Sequence, residues 1–242
     1  MLPRAILFDL DDTLITEGDR LLALQDVAGE FAAELGPHAA DHVAGALDEA
    51  LQAFWSDPER ARAARLSLGG SSIAEVRLAV ISAALEKWGV PSLAVRFCQR
   101  FAAVRAERHG FFPGALETLG ALRAEGVCLA LVTNGAADMQ RAKIERYQLS
   151  GLFDHIQIEG EYGFGKPDRR AYDHALSSLG VRPQEAWMVG DNLEWEVVAP
   201  QRLGIYAVWH DPFGRGLPAA SDARPDRIIR HLPELLKRTA PA

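Results

Sequence analysis

The chain has 242 residues, 48% of them hydrophobic and 24% charged, and carries a net charge of −7. That length is enough for one large domain, or a core with an insert, and for a real hydrophobic core; the composition is that of an ordinary soluble globular protein. The negative balance argues against non-specific binding to nucleic acid or to an anionic membrane surface, and no apolar run approaches the length of a membrane span.

Met1-Leu2-Pro3-Arg4 leads directly into the apolar run Ala5-Ile6-Leu7-Phe8, which reads as a buried strand and not as part of a signal peptide. Asp9-Leu10-Asp11-Asp12-Thr13 follows at once. Acidic residues there sit where an α/β sheet places ligands, at the carboxyl end of a strand. Three carboxylates this close repel one another, and folding them inward is costly without a cation. A hard, oxygen-seeking ion such as Mg²⁺ relieves that repulsion. Asp9 and Asp11 are two apart, so a strand continuing through them points both side chains to one face. Phe8 and Leu10 read as core, Asp12 as a turn-forming or helix-capping carboxylate, and Thr13 as a hydroxyl that bonds the backbone and shapes the loop.

From about residue 19 to 109 the pattern is helical, with no convincing strand. Leu21, Leu22, Leu24, Val27, Ala28, Phe31, Ala32 and Leu35 recur at helical spacing until Gly36-Pro37 stops the run. Val43, Ala46, Leu47, Ala50, Leu51 and Phe54 form a second stripe. Gly69-Gly70-Ser71-Ser72 breaks the chain, with Ser71 or Ser72 as an N-cap, and Ile73–Trp88 and Ser92–Arg108 read as two more helices. Arg60, Arg62 and Arg65 make a basic stretch near Trp55 that reads as a solvated helix face.

At Phe111-Phe112-Pro113-Gly114 the character changes to alternation. Helices are expected over Ala115–Glu125, Asp138–Tyr147, Asp168–Leu179 and Leu232–Lys237. Strands are expected over Val127–Val132, His155–Ile158, Ala186–Val189, Gly204–Trp209 and Arg227–Ile229. Strand–helix alternation predicts a parallel sheet covered on both faces. The fold class is therefore α/β: a doubly wound, Rossmann-like core of residues 1–18 and 110–242, with an all-helical insert over 19–109. Cys98 and Cys128 lack metal-ligand spacing and read as two buried free thiols of a reducing cytosol.

Four places now compare. The first strand ends in the acidic cluster, and the second core strand ends in Thr133-Asn134-Gly135. A later loop carries Gly165-Lys166-Pro167, and a further strand ends in Gly190-Asp191-Asn192-Leu193-Glu194-Trp195-Glu196. Parallel connections bring such ends to one sheet edge. The edge then holds carboxylates, a hydroxyl, an amide and one ammonium, an inventory suited to a phosphate dianion with a divalent metal. Each motif alone is an ordinary loop; the four in this order are not. Only four lysines occur beside twenty-two arginines, so a lysine at 166 stands out. Glu194 and Trp195 read as a helix start with one buried aromatic, and His210 as a loop histidine.

The set resembles the haloacid dehalogenase superfamily, in the subfamily with a helical cap after the first motif, and Pro113-Gly114 resembles the return from cap to core. The resemblance implies that Asp9 is a nucleophile forming an aspartyl-phosphate and Asp11 the general acid/base. It implies that Thr133 and Asn134 bind the phosphoryl group or orient the nucleophile, and that Lys166 neutralises Asp9 and a phosphate oxygen. Mg²⁺ would be held by the carboxylates of Asp9 and Asp191 and the main-chain carbonyl of Asp11. Glu196 stands where many members carry Asp; with Asn192 and Thr13 it is expected around the site and not on the metal. The implied activity is a Mg²⁺-dependent, cytoplasmic phosphatase acting on a small phosphorylated metabolite. Asp-Leu-Asp-Asp-Thr-Leu leans toward a nucleoside monophosphate or sugar phosphate. The alternatives are carbon–halogen hydrolysis, which in this family lacks the second aspartate, a phosphomutase, which Thr13 disfavours, and a non-catalytic binding protein on the same fold.

Overall fold

The computed structural model describes residues 2–16, 18–55, 57–66, 73–219 and 221–237. The chain divides into two compact units, one of residues 1–16 with 110–242 and one of residues 17–109.

The first unit begins with β1 (Ala5–Phe8) and a two-residue strand β2 (Ile15–Thr16). The second unit holds α1 (Arg20–Glu30), α2 (Ala32–Leu35), α3 (Ala40–Trp55), α4 (Pro58–Arg65), α5 (Ile73–Lys87) and α6 (Ala94–Glu107). No strand occurs among its described residues. Its core gathers the expected stripes: Leu24, Val27, Val43, Leu47, Ile81, Leu85, Phe97 and Phe101 are buried together. The first stripe is not one continuous helix, because the chain turns at Phe31 between α1 and α2, and Leu22 is exposed. Asp57 caps α4 by accepting from the amides of Glu59 and Arg60, while Arg60 and Arg62 face solvent, as a charged helix face should. The expected cap at Ser71 or Ser72 lies outside the described residues.

Back in the first unit come β3 (Gly110–Phe111), α7 (Ala115–Ala124), β4 (Cys128–Thr133), α8 (Ala137–Arg146), β5 (His155–Ile158), α9 (Glu159–Tyr162), α10 (Arg169–Leu179), β6 (Ala186–Gly190), α11 (Ala199–Gln201), β7 (Tyr206–His210) and β8 (Arg227–Ile229). Six strands form one parallel sheet in the order β5-β4-β1-β6-β7-β8. Because side chains alternate along a strand, β1 feeds two cores. Ile6 and Phe8 pack with Leu129, Leu131, Val189 and Val208 on one face. Ala5 and Leu7 pack with Ala130, Val132, Met188 and Tyr172 on the other. A strand buried on both faces reads as a continuous apolar run, which is why β1 was legible.

The structure corrects several expectations. The final helix is a 3₁₀ turn over Leu232–Leu236, a form that is stable only in short pieces. β7 starts at Tyr206 because Gly204, at φ 83°, still closes the turn after α11. Ile15–Thr16 pairs antiparallel with Gly110–Phe111, a ribbon too short to leave a periodic signal. Cys98 and Cys128 are free but only half-buried. No described helix is long and apolar enough to cross a membrane.

Candidate active site

β1 lies between β4 and β6, so the loops after these three strands meet at the centre of one sheet edge. β1 ends at Phe8, and the Asp9 amide still bonds the Val189 carbonyl at 3.0 Å. The chain then turns: Leu14 and Ile15 both donate to the Leu10 carbonyl, and Asp12 is left-handed at φ 57°, which a short polar residue tolerates. The expected continuing strand is therefore absent, and Asp9 and Asp11 take different partners. Asp12 is a turn former whose Oδ1 accepts from Thr16 Oγ1 at 3.3 Å. Leu10 is fully buried.

The Asp9 carboxylate is held at both oxygens. Lys166 Nζ reaches Oδ1 at 2.6 Å, and Thr13 Oγ1 donates to Oδ2 at 3.1 Å. Thr13 thus bonds the carboxylate and not the backbone that its loop position suggested. Lys166 is buried and also pairs with Glu196 Oε1 at 2.8 Å. Burial alone would lower the lysine's pKa, but Asp9 and Glu196 outweigh it and hold the ammonium above its ordinary range. Asn134 fixes this lysine by its backbone: Nδ2 donates to the Lys166 carbonyl at 2.6 Å, and Oδ1 accepts from the Lys166 amide at 2.9 Å.

Glu196 sits in a π-helical turn over Leu193–Val198 that Asn192 caps, its Oδ1 accepting from the amides of Glu194 and Trp195. Glu196 Oε2 accepts from the Asn192 amide at 2.8 Å. Its side chain lies over Gly190, where a Cβ would meet Glu196 Cγ at 2.0 Å. Glycine at 190 is what makes room for the long acid. Glu194 is exposed and Trp195 only half-buried, and the Trp195 carbonyl accepts from Tyr172 Oη at 2.5 Å. Trp209 Nε1 donates to the Asp191 carbonyl at 2.6 Å.

The acids outnumber the ammonium. Burial, opposed by Lys166, raises the pKa of Asp9 and pushes Glu196 up to about 7. Asp191 is raised well above the carboxylate range by burial and by the charges of Asp12, Glu196 and Asp9. Its carboxylate makes no hydrogen bond or ion pair with the described residues. No three His, Cys, Asp or Glu side chains among the described residues form a ready-made cage. A half-buried carboxylate without a protein partner, facing other acids, fits an oxygen-seeking divalent cation that takes few protein ligands and keeps its waters.

Four polar residues here carried no local signal. On α8, Gln140 Nε2 reaches Thr133 Oγ1 at 2.5 Å, Asp11 Oδ2 at 2.8 Å and the Asn134 carbonyl at 3.1 Å. Lys143 Nζ reaches Asp11 Oδ1 at 2.7 Å. Glu159 accepts from the Gly135 amide at 3.2 Å and steadies the loop after β4. Lysine scarcity, the argument for Lys166, also singles out Lys143.

The fourth is His210, which is the last residue of β7 and buried against Phe112, not a loop histidine. Backbone groups of Arg230 and Asp12 lie near the ring without closing a well-formed hydrogen bond, and burial pushes its pKa down to about 4. An unfolded histidine titrates near 6.5, so below that pH the unfolded chain binds a proton the folded one refuses. Stability from this group therefore falls as pH drops from about 6.5 to about 4, by about 3 kcal/mol at most. The raised carboxylates act in the opposite direction, so the difference between wild type and His210→Phe isolates the effect. The urea midpoint of the wild type should fall relative to that of His210→Phe between pH 7 and pH 4.5. A constant difference would show that His210 does not titrate there.

A family model described as haloacid dehalogenase-like hydrolase matches residues 3–204. Phosphoserine phosphatase of Thermus thermophilus is 33% identical, over 96% of this chain and 97% of its own. Ribulose-1,5-bisphosphate 5-phosphatase of Halopiger xanaduensis is 31% identical, over 86% of this chain and 84% of its own. In fold, the chain is similar to the HAD-hydrolase YfnB of Bacillus subtilis, described as bound to magnesium, with a TM-score of 0.68 at 23% identity, covering 98% of each chain. The chain belongs to the haloacid dehalogenase-like hydrolase family and is a phosphatase of that family.

Proposed function

We propose that the protein is a cytoplasmic, Mg²⁺-dependent phosphatase that hydrolyses a small phosphorylated metabolite through an aspartyl-phosphate on Asp9. The observation that carries this reading is the Asp9 carboxylate fixed between Lys166 and Thr13, with a second aspartate, Asp11, held separately by other donors. Asp9 attacks phosphorus. The ester P–O bond breaks, its electron pair passes to the ester oxygen, and that oxygen takes a proton from Asp11. Asp11 then takes a proton from water as the water oxygen bonds phosphorus, and the Asp9 carboxylate is released with its electron pair. The acid/base role is worth about 10²–10⁴-fold in rate. Lys166 and the Thr133 hydroxyl balance charge on the phosphoryl oxygens. The carboxylates of Asp9 and Asp191 and the carbonyl of Asp11 would hold Mg²⁺, which would supply further charge neutralisation at that group. Residues 19–109 are read as its helical cap domain.

A second carboxylate disfavours the halide chemistry of dehalogenases, which need no acid for a halide leaving group. The loop sequence keeps nucleoside monophosphates and sugar phosphates in front, and the curated relatives add phosphoserine. The test is phosphate release from nucleoside monophosphates, sugar phosphates, phosphoserine and phosphoglycolate, with Mg²⁺ and again with EDTA. Release that needs the metal and concentrates on one group is expected. Silence across the panel from folded, metal-loaded protein would sink the proposal.

A further inference from the structure

Asp11 is engaged at both oxygens, by Lys143 Nζ at 2.7 Å on Oδ1 and by Gln140 Nε2 at 2.8 Å on Oδ2. An ion pair on a half-exposed carboxylate is by itself unremarkable. What sets this one apart is the third partner. The Gln140 side chain is buried, and the same amide nitrogen also reaches Thr133 Oγ1 at 2.5 Å and the Asn134 carbonyl at 3.1 Å. Two hydrogens on one nitrogen serve three acceptors, so the loop after β1 and the loop after β4 are joined through one amide. Residues 140 and 143 are three apart on α8 and so share a face. The Thr133 hydroxyl accepts from Gln140, which leaves its own proton free to donate outward.

We propose that Gln140 and Lys143 are positioning residues for the general acid/base: they hold the Asp11 carboxylate in one orientation, and Gln140 also aims the Thr133 hydroxyl. The inference rests on the acid/base role proposed for Asp11. In both steps a proton moves between Asp11 and an oxygen on phosphorus or its leaving group, so a carboxylate free to rotate serves both steps badly. Misplacing a reacting group by about 1 Å costs about 10²-fold.

The test is a cycle of variants assayed as Mg²⁺-loaded full chain with p-nitrophenyl phosphate. Lys143→Met should lower kcat about 10- to 100-fold with KM within about two-fold, since it acts on the reacting geometry and not on uniform binding. Lys143→Arg should restore part of the loss. Gln140→Met, of similar volume, should behave like Lys143→Met. In an Asp11→Asn background, Lys143→Met should add less than about two-fold, because residues acting through one group are not additive. Loss of activity in Asp11→Asn with wild-type kcat in Lys143→Met overturns the positioning role alone, and so does the same fold-loss from Lys143→Met in both backgrounds. Full activity in Asp11→Asn overturns the acid/base reading and the positioning role together.

Discussion

Asp9→Asn is expected to abolish phosphate release, by about 10⁴-fold or more, while leaving the fold intact. The substitution is nearly isosteric. The remaining amide oxygen can still accept from Lys166, which reaches Oδ1 at 2.6 Å in the wild type. It also removes one negative charge from a site where burial raises Asp9, Asp191 and Glu196 and where the Asp9 charge raises the other two further, so no loss of stability near pH 8 is expected. The checks are steady-state phosphate release, a denaturation curve, and trapping of labelled phosphate on the protein. Label should accumulate in Asp11→Asn, whose second step lacks its base, and be absent from Asp9→Asn. Substantial turnover in well-folded Asp9→Asn would remove Asp9 as nucleophile.

Lys166→Met should be damaging twice over. The ammonium is fully buried between Asp9 and Glu196, at 2.6 and 2.8 Å. Removing one partner of a buried ion pair costs about 3–5 kcal/mol, because the remaining charges lose their compensation. Here the sign with pH is fixed. The carboxylates have raised pKa values in the folded state, Glu196 at about 7 even with the lysine present, so they take up protons as pH falls. The variant's deficit should be largest at pH 8 and shrink toward pH 5. Denaturation midpoints in EDTA at the two pH values measure this, and an equal deficit at both would show that the carboxylates are not its source. In the Mg²⁺-loaded enzyme, kcat should fall about 10²–10³-fold, the usual effect of losing one donor to developing oxyanion charge.

How much of this was legible depended on whether the signal was local. β1 was, because a short, wholly apolar run advertises a buried strand. The four strand-end motifs were, because glycine, acid and lysine at loop positions are unusual in combination. Gln140 and Lys143 were not: their partner Asp11 lies 129 and 132 residues away, and a polar helix face normally means solvent. The sequence puts Thr13 on the site loop but not on its partner Asp9, since nothing local says whether a hydroxyl finds an amide or a carboxylate. His210 reads as a loop residue in the sequence because β7 runs one residue further than its apolar pattern.

The fit of Glu196 over Gly190 links two positions in inheritance. A methyl group at 190 would collide with the Glu196 side chain at 2.0 Å, and the acid would swing off Lys166. A lineage that keeps glutamate must keep the glycine. Shortening the acid to aspartate does not lift the constraint, because aspartate keeps the Cγ that a methyl group at 190 would meet; residue 190 can drift only once residue 196 has lost its Cγ or turned away. Residue 190 is therefore free to change only after residue 196 has, although six residues separate them and neither carries the reaction.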